Sequence, residues 1–146
     1  MTLEDEAATA ALGARIARIL RAGDAVLLSG PLGAGKTALA RAILAARGIG
    51  GHVPSPTFTL VQTYETPELT VRHFDLYRIE HTSELAELGL EDALDEGAVL
   101  VEWPERAADR MPEDALRVEL RITGENSREA HLSGAERWSQ LMDGAK

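Results

Sequence analysis

The chain has no cysteine among its 146 residues. Disulfides, cysteine nucleophiles and thiolate metal sites are therefore excluded, and the composition suits a reducing compartment. Lysine is nearly absent: it occurs only at Lys36 and Lys146, so lysine-dependent chemistry inside the fold falls to Lys36. Positive charge is short overall, with 15 Lys and Arg against 24 Asp and Glu and a net charge of −9. Such a surface repels phosphate backbones, which argues against tight direct binding of nucleic acid. No apolar run is long enough to cross a bilayer. The opening "MTLEDEAATA" is acidic and lacks the basic start and apolar centre of a secretion signal. The expected location is cytoplasmic, with no membrane contact.

What is present is ordinary for a globular protein: 45% hydrophobic and 27% charged residues. The length suits one domain, residues 1–146, with a real core. Residues 4–21 have helical spacing at Leu12, Ile16 and Ile19 or Leu20. "AVLLS", Ala25 to Ser29, is apolar on both faces and predicts a buried parallel strand. A helix is expected from Lys36 to about Arg47, with Leu39, Ile43 and Ala46 inward and "GIGG" as its stop. Strands are expected in "FTLVQTY" and in "ELTVRHFD", the second ending near Asp75. "SELAELGLEDALDEG" predicts one or two short helices with Ser83 as a cap. "AVLVE" reads as a further buried strand, and "ALRVELRIT" as one with a wet face and "SREAHLSG" as its hairpin partner. "AERWSQLM" suits a short last helix. The expected class is α/β, with a central, mostly parallel sheet flanked by helices and an antiparallel C-terminal portion.

The chemistry-bearing stretch is "LLSGPLGAGKTALA", Leu27 to Ala40. Gly30, Gly35, Lys36 and Thr37 fit G-x-x-x-x-G-K-[ST], the phosphate-binding P-loop pattern. Glycines, including Gly33, let the backbone bend so that amides around Ala34 face an anion. Lys36 would reach the terminal phosphates and Thr37 would place its hydroxyl on Mg²⁺. The following helix would aim its N-terminus at the phosphates. With lysine only at 36 and 146, the chain cannot form the N/T-K-x-D motif of guanine-specific small GTPases. Adenine is therefore the expected base, and ATP with Mg²⁺ the expected ligand.

The metal also needs an acid at the end of a core strand. Asp75 in "VRHFDLYR" is the first candidate, and Glu102, which ends "AVLVE", is the second. In a parallel sheet both strand ends meet at one crevice. Glu102 would be catalytic or position water, within reach of the metal. The competing explanation is that these acids cap a helix or pair with arginine. "SPTFT", stiffened by Pro54 and Pro56, could present Thr57 or Thr59 to Mg²⁺ or the last phosphate, or could be a purely structural loop. Trp103 could lie by the base, face a partner or fill the core.

Taken together, "GPLGAGKT", "VPSPTFTLVQTY", "HFDLYRI", "ELGLED", "VLVEWPER" and the late "SRE" give a resemblance over nearly the whole chain. The sequence resembles the TsaE (YjeE) family, bacterial P-loop ATPases of tRNA threonylcarbamoyladenosine biosynthesis. The resemblance implies a P-loop NTPase fold. It makes Lys36 and Thr37 the phosphate and Mg²⁺ groups, Asp75 the metal acid and Glu102 the essential acid of an "EW" pair. Trp103 would lie near the nucleotide, the threonines of "SPTFT" (Thr57 ahead of Thr59) would form a switch-like loop, and Thr9 would lie near the nucleotide. Arg128 matches a late arginine of the family pattern with no role attached. Pro31 departs from the aspartate that relatives often carry, in a slot that makes none of the fixed contacts. The family implies weak ATP hydrolysis by the chain alone. Its partners are TsaD and TsaB, which transfer threonylcarbamoyl to adenosine 37 of tRNA; tRNA is reached only through them. Two alternatives remain: a small-molecule kinase using Arg106 and Arg110 as a lid, and a nucleotide-gated binding module that works by occupancy.

Overall fold

The structure is a computed structural model that describes residues 1–49, 61–81 and 83–143. Thr57, Thr59 and the rest of the "SPTFT" stretch lie outside the described residues, as does the start of the expected "FTLVQTY" strand. One sheet of seven strands organises the described chain, in the order β1-β7-β6-β2-β5-β4-β3. Here β1 is Thr2–Leu3, β2 Ala25–Ser29, β3 Val61–Thr66, β4 Leu69–Asp75, β5 Ala98–Glu102, β6 Leu116–Ile122 and β7 Arg128–Ser133. The four central strands β6, β2, β5 and β4 run parallel. β3 is an antiparallel edge on one side, and β7 and β1 add antiparallel pairs on the other. The helices are α1 (Glu6–Ile19), α2 (Lys36–Ala46), α3 (Ser83–Leu88), α4 (Leu90–Glu96) and α5 (Ser139–Asp143). The described residues also form 3-10 segments at Pro104–Arg110 and Glu136–Trp138.

Alternation along the strands sorts side chains to two covered faces. Val26, Leu28, Val71, Leu100 and Leu116 meet α1 and α2, whose buried stripe includes Leu12, Ile16, Leu39 and Ile43. On the opposite face Leu27, Phe74, Val99 and Val101 meet Leu90 and Ala93 of α4 and Ala107 of the first 3-10 segment. Each fully buried Leu, Ile or Phe contributes about 1.5–3 kcal/mol relative to exposure. β6 carries Leu116, Val118 and Leu120 inward and Arg117, Glu119 and Arg121 outward, the expected wet face. Trp138 is fully buried and donates from Nε1 to Asp114 O at 2.8 Å, so its one polar atom is satisfied.

Several expectations need correction. Ala46 is exposed; the inner stripe of α2 is completed by Ala40 and Leu44. A stripe of two neighbours per turn covers a broader face than one residue per turn, which suits a helix lying flat on a sheet. Of the alternatives in α1, Leu20 is buried and Ile19 only partly so. α1 also begins later than position 4, because the Asp5 carboxylate accepts from Ala8 N at 2.9 Å and caps it. Ser83 is the first residue of α3 rather than its cap; Glu84 reaches back to accept from Glu80 N at 2.9 Å. The two-residue β1 and the 3-10 segment after Trp103 were not anticipated. Among the described residues, no helix is long and apolar enough to cross a membrane.

Candidate active site

β2 leads through the glycine-rich turn into α2. Gly30 has φ 143°, and a Cβ there would lie 2.4 Å from Leu120 O, so the loop leaves the sheet where no side chain fits. Gly35, at φ 101°, precedes Lys36, the first residue of α2. The first-turn amides of α2 thus point along the mouth of the loop. Parallel register brings the acids to the same end: Asp75 of β4 lies opposite Glu102 of β5, and Leu28 of β2 lies opposite Glu102 on its other side. A cavity of about 440 Å³ is lined by Lys36, Thr37, Asp75, Tyr77, Glu102 and Trp103, among others. Three separated stretches of the sequence, Lys36–Thr37, Asp75 and Glu102–Trp103, therefore line one cavity.

The site is closed upon itself. Lys36 is buried, donates to Gly30 O at 2.5 Å and Pro31 O at 3.1 Å, and sits 3.8 Å over the Trp103 ring centroid. Desolvation pushes its pKa below the usual lysine value, against the pull of Glu102, Glu105 and Asp75. The Thr37 hydroxyl faces both Glu102 carboxylate oxygens, at 2.9 and 3.1 Å. Glu102 is only 3% exposed. Asp75 accepts from Tyr77 N at 3.1 Å. Burial raises the Asp75 pKa, partly offset by that backbone hydrogen bond; Glu102 adds to the rise. The Ala34 amide, expected to face phosphate, donates here to Pro31 O at 3.1 Å. Trp103 holds a left-handed backbone, φ 60°, at the entry to the 3-10 segment, and its ring lies 4.9 Å from that of Tyr77.

Thr9 and Arg128 lie elsewhere. They line a second cleft of about 580 Å³ that shares Gly33, Gly35 and Ala38 with the first, so the loop and the start of α2 form a wall between two hollows. Arg128 fastens this wall: its guanidinium donates to Gly33 O at 3.0 Å, Gly124 O at 3.1 Å and Ser127 O at 2.8 Å. Arg106 and Arg110 line neither hollow. The Arg106 guanidinium lies 5.5 Å from the Tyr77 ring centroid, and Arg110 sits beside Asp109. One neighbour of the acids escaped the sequence reading. His73 is fully buried with Nε2 2.6 Å from Glu102 Oε2. Its position two residues before Asp75 on a strand, hence on the same face, was the available signal.

A parallel sheet whose strand ends meet a glycine loop opening a helix, with lysine and hydroxyl at the first turn, defines a P-loop NTPase fold. Residues 3–130 match the family model described as "Threonylcarbamoyl adenosine biosynthesis protein TsaE". The chain belongs to the TsaE family, which serves tRNA threonylcarbamoyladenosine biosynthesis. A Rickettsia felis protein named for that role is 38% identical over 144 residues, covering 98% of this chain and 84% of its own length. One from Streptomyces coelicolor is 38% identical over 138 residues, 88% of this chain and 92% of its own. One from Mycobacterium tuberculosis is 41% identical over 137 residues, 86% and 80% respectively. The crystal structure of Bacillus subtilus YdiB superposes with a TM-score of 0.80 at 26% identity, covering 99% of this chain and 90% of that one.

Proposed function

We propose that this chain binds ATP with Mg²⁺ at the glycine loop and hydrolyses it to drive the TsaB–TsaD complex, which carries out threonylcarbamoyl modification of adenosine 37 in tRNA. The convergence of Lys36, Thr37, Asp75 and Glu102 on one cavity carries this reading. The donor set suits the metal. Thr37 and Asp75 offer hard oxygens, and Mg²⁺ prefers one or two protein oxygens completed by phosphate and water. Among the described residues, no group of three or more His, Cys, Asp or Glu is arranged to hold an ion unaided. Thr37 and Asp75 would hold Mg²⁺, whose charge would offset the charge developing on the phosphate oxygens.

The chain's own residues divide the remaining work. Lys36 leaves the Gly30 and Pro31 carbonyls for the terminal phosphates, where its charge is stabilising rather than trapped. Thr37 would leave Glu102 to help Asp75 hold the metal. Glu102 then orients the attacking water and takes its proton. The water oxygen bonds to the γ phosphorus as the bond to the β–γ bridging oxygen breaks, giving ADP and phosphate. Because Lys36 and Thr37 both start engaged within the chain, slow turnover by the chain alone is expected. The acidic surface suits docking on proteins that hold tRNA better than holding tRNA directly.

The test combines the purified chain, TsaB–TsaD, tRNA, Mg²⁺ and ATP, with phosphate release and modified adenosine followed together. Both signals should require the chain and vanish with Lys36→Ala. Phosphate release without chain-dependent repeated modification would refute the pathway role and leave the ATPase. Function retained by a Glu102→Gln protein that binds ATP but does not hydrolyse it would favour action by occupancy. Phosphoryl transfer to a small acceptor without TsaB–TsaD would favour a kinase.

A further inference from the structure

His73 has no part in the steps above, yet it occupies a costly position. The imidazole is fully buried on the α1–α2 face of β4, and its Nδ1 is buried with no hydrogen-bond partner among the described residues. An unsatisfied buried nitrogen is destabilising, a cost that an apolar side chain of similar volume would avoid. The compensating contact is at the other nitrogen, where Nε2 lies 2.6 Å from Glu102 Oε2.

The direction of that contact follows from the other ring nitrogen. An N–H at the buried Nδ1 would have no acceptor among the described residues, so the hydrogen is assigned to Nε2, which donates to the Glu102 carboxylate, while Nδ1 keeps the lone pair. The Thr37 hydroxyl donates toward the same carboxylate. The two carboxylate oxygens are then unequal. Oε2 is tied to His73, and Oε1 makes the shorter contact to Thr37 at 2.9 Å. If Thr37 turns to a metal ion, Glu102 loses its hydroxyl partner and would be free to rotate unless something else holds it.

We propose that His73 is a positioning residue for Glu102: its Nε2–H anchors Oε2, so that Oε1 stays presented to the cavity when Thr37 leaves. This rests on the reading of Glu102 as the group that orients the attacking water. The sheet supplies the geometry, because His73 and Glu102 come from adjacent, hydrogen-bonded strands and cannot drift apart independently.

The test compares the wild-type chain, His73→Leu and His73→Gln. Glutamine keeps an N–H donor and leucine removes it. His73→Leu should bind ATP as the wild type does, by calorimetry, and keep KM while kcat falls by about 10–100-fold, the range for loss of a group that orients a reacting ligand. His73→Gln should recover most of that loss. A second readout needs no nucleotide. Nitrogen-resolved NMR of the histidines should give His73 a protected Nε2–H and a bare Nδ1, with the Nε2–H signal displaced in Glu102→Gln. The proposal is overturned if wild-type kcat survives in His73→Leu, if Leu and Gln are equally inactive despite native folds, or if the proton sits on Nδ1. If neither variant folds, the tautomer in the wild type decides. A wild-type chain that hydrolyses no ATP, even with TsaB–TsaD, overturns the ATPase reading and this proposal together. A hydrolysing wild type beside an unimpaired His73→Leu overturns this proposal alone.

Discussion

Gly13 sits in the middle of α1, where its effect on stability depends on two opposing terms. Replacing a helix-interior glycine by alanine ordinarily stabilises by about 1 kcal/mol, because glycine loses more backbone freedom on folding. Here α1 lies against α2 so closely that a Cβ at Gly13 would be 2.5 Å from Ala42 Cβ, 2.9 Å from Ala42 C and 3.0 Å from Ile43 N. None of these atoms is the free end of a flexible side chain, so one helix must move. Forcing an extra methyl into a packed interface costs about 1–3 kcal/mol. The net expectation for Gly13→Ala is a loss of about 1 kcal/mol, or roughly 4 °C in Tm for a chain of this size. Urea titration and thermal scans by far-UV circular dichroism would measure it. The change should appear in the midpoint with the m-value unchanged. Combining it with Ala42→Gly removes the worst contact, so the double-mutant cycle should return a favourable coupling energy of about 1 kcal/mol. A Gly13→Ala protein more stable than wild type would refute the reasoning, since helix propensity alone would then govern the site. The same movement displaces the helix that begins at Lys36, so nucleotide affinity should fall with stability.

Three further outcomes follow from the site. ATP should draw Lys36 away from the Trp103 ring and change its fluorescence, while buried Trp138 stays constant; a signal surviving in Trp103→Phe would contradict the parked lysine. Asp75→Asn keeps an acceptor for Tyr77 N and removes a carboxylate whose pKa burial raises above 3.8. Because the folded state holds the Asp75 proton more tightly than the unfolded chain, stability from this group is lost as pH rises from 3.8 through the folded-state value. The nucleotide-free Asp75→Asn chain should therefore be more stable than wild type near neutral pH, and the gain should disappear in acid. A gain independent of pH would refute that cause. Arg128→Ala should leave overall stability within about 1 kcal/mol of wild type, because its hydrogen bonds are largely exposed, yet weaken ATP binding by up to about tenfold by loosening the carbonyl of Gly33. Calorimetry would measure the affinity, and Arg128→Lys should not restore it, since one ammonium nitrogen cannot replace two separated guanidinium nitrogens that contact Gly33 O on one side and Gly124 O and Ser127 O on the other.

Much of this arrangement was legible because the relevant signals are local. Continuous apolar runs marked β2 and β5, and the glycine-lysine-threonine turn fixed what joins β2 to α2. Asp75 and Glu102 could be paired because strand ends in parallel sheets share an edge. Other features depend on neighbours that the sequence does not name. β1 is two residues long and exists through its pairing with β7. Ala46 fell on the wrong side because helical spacing alone does not say how the helix lies on the sheet. The positive φ of Trp103, which opens the 3-10 segment, is not a tryptophan preference. The spacing in "HFD" puts His73 on the face of Asp75, but it does not name the acid on the next strand that His73 is held against. That Thr9 and Arg128 border a different hollow from Lys36 became visible only with the loop folded between them.

The pairing of Asp75 with Glu102 across β4 and β5 has a consequence for how such a site can change over time. Neighbouring strands are about 4.8 Å apart, and that spacing is set by backbone hydrogen bonds, not by the two acids. Sliding one strand by a single residue turns its acid to the opposite face. Sliding by two carries it about 6.6 Å along the sheet. The separation of the two backbone positions is therefore quantised. Substitutions elsewhere can tune the lysine, the loop, the aromatic neighbours or the rotamers of the two acids by small increments, but the spacing of the strand positions that carry them has no small increments available. A lineage inheriting this register inherits that spacing whole, and variation in activity must come from the parts around it.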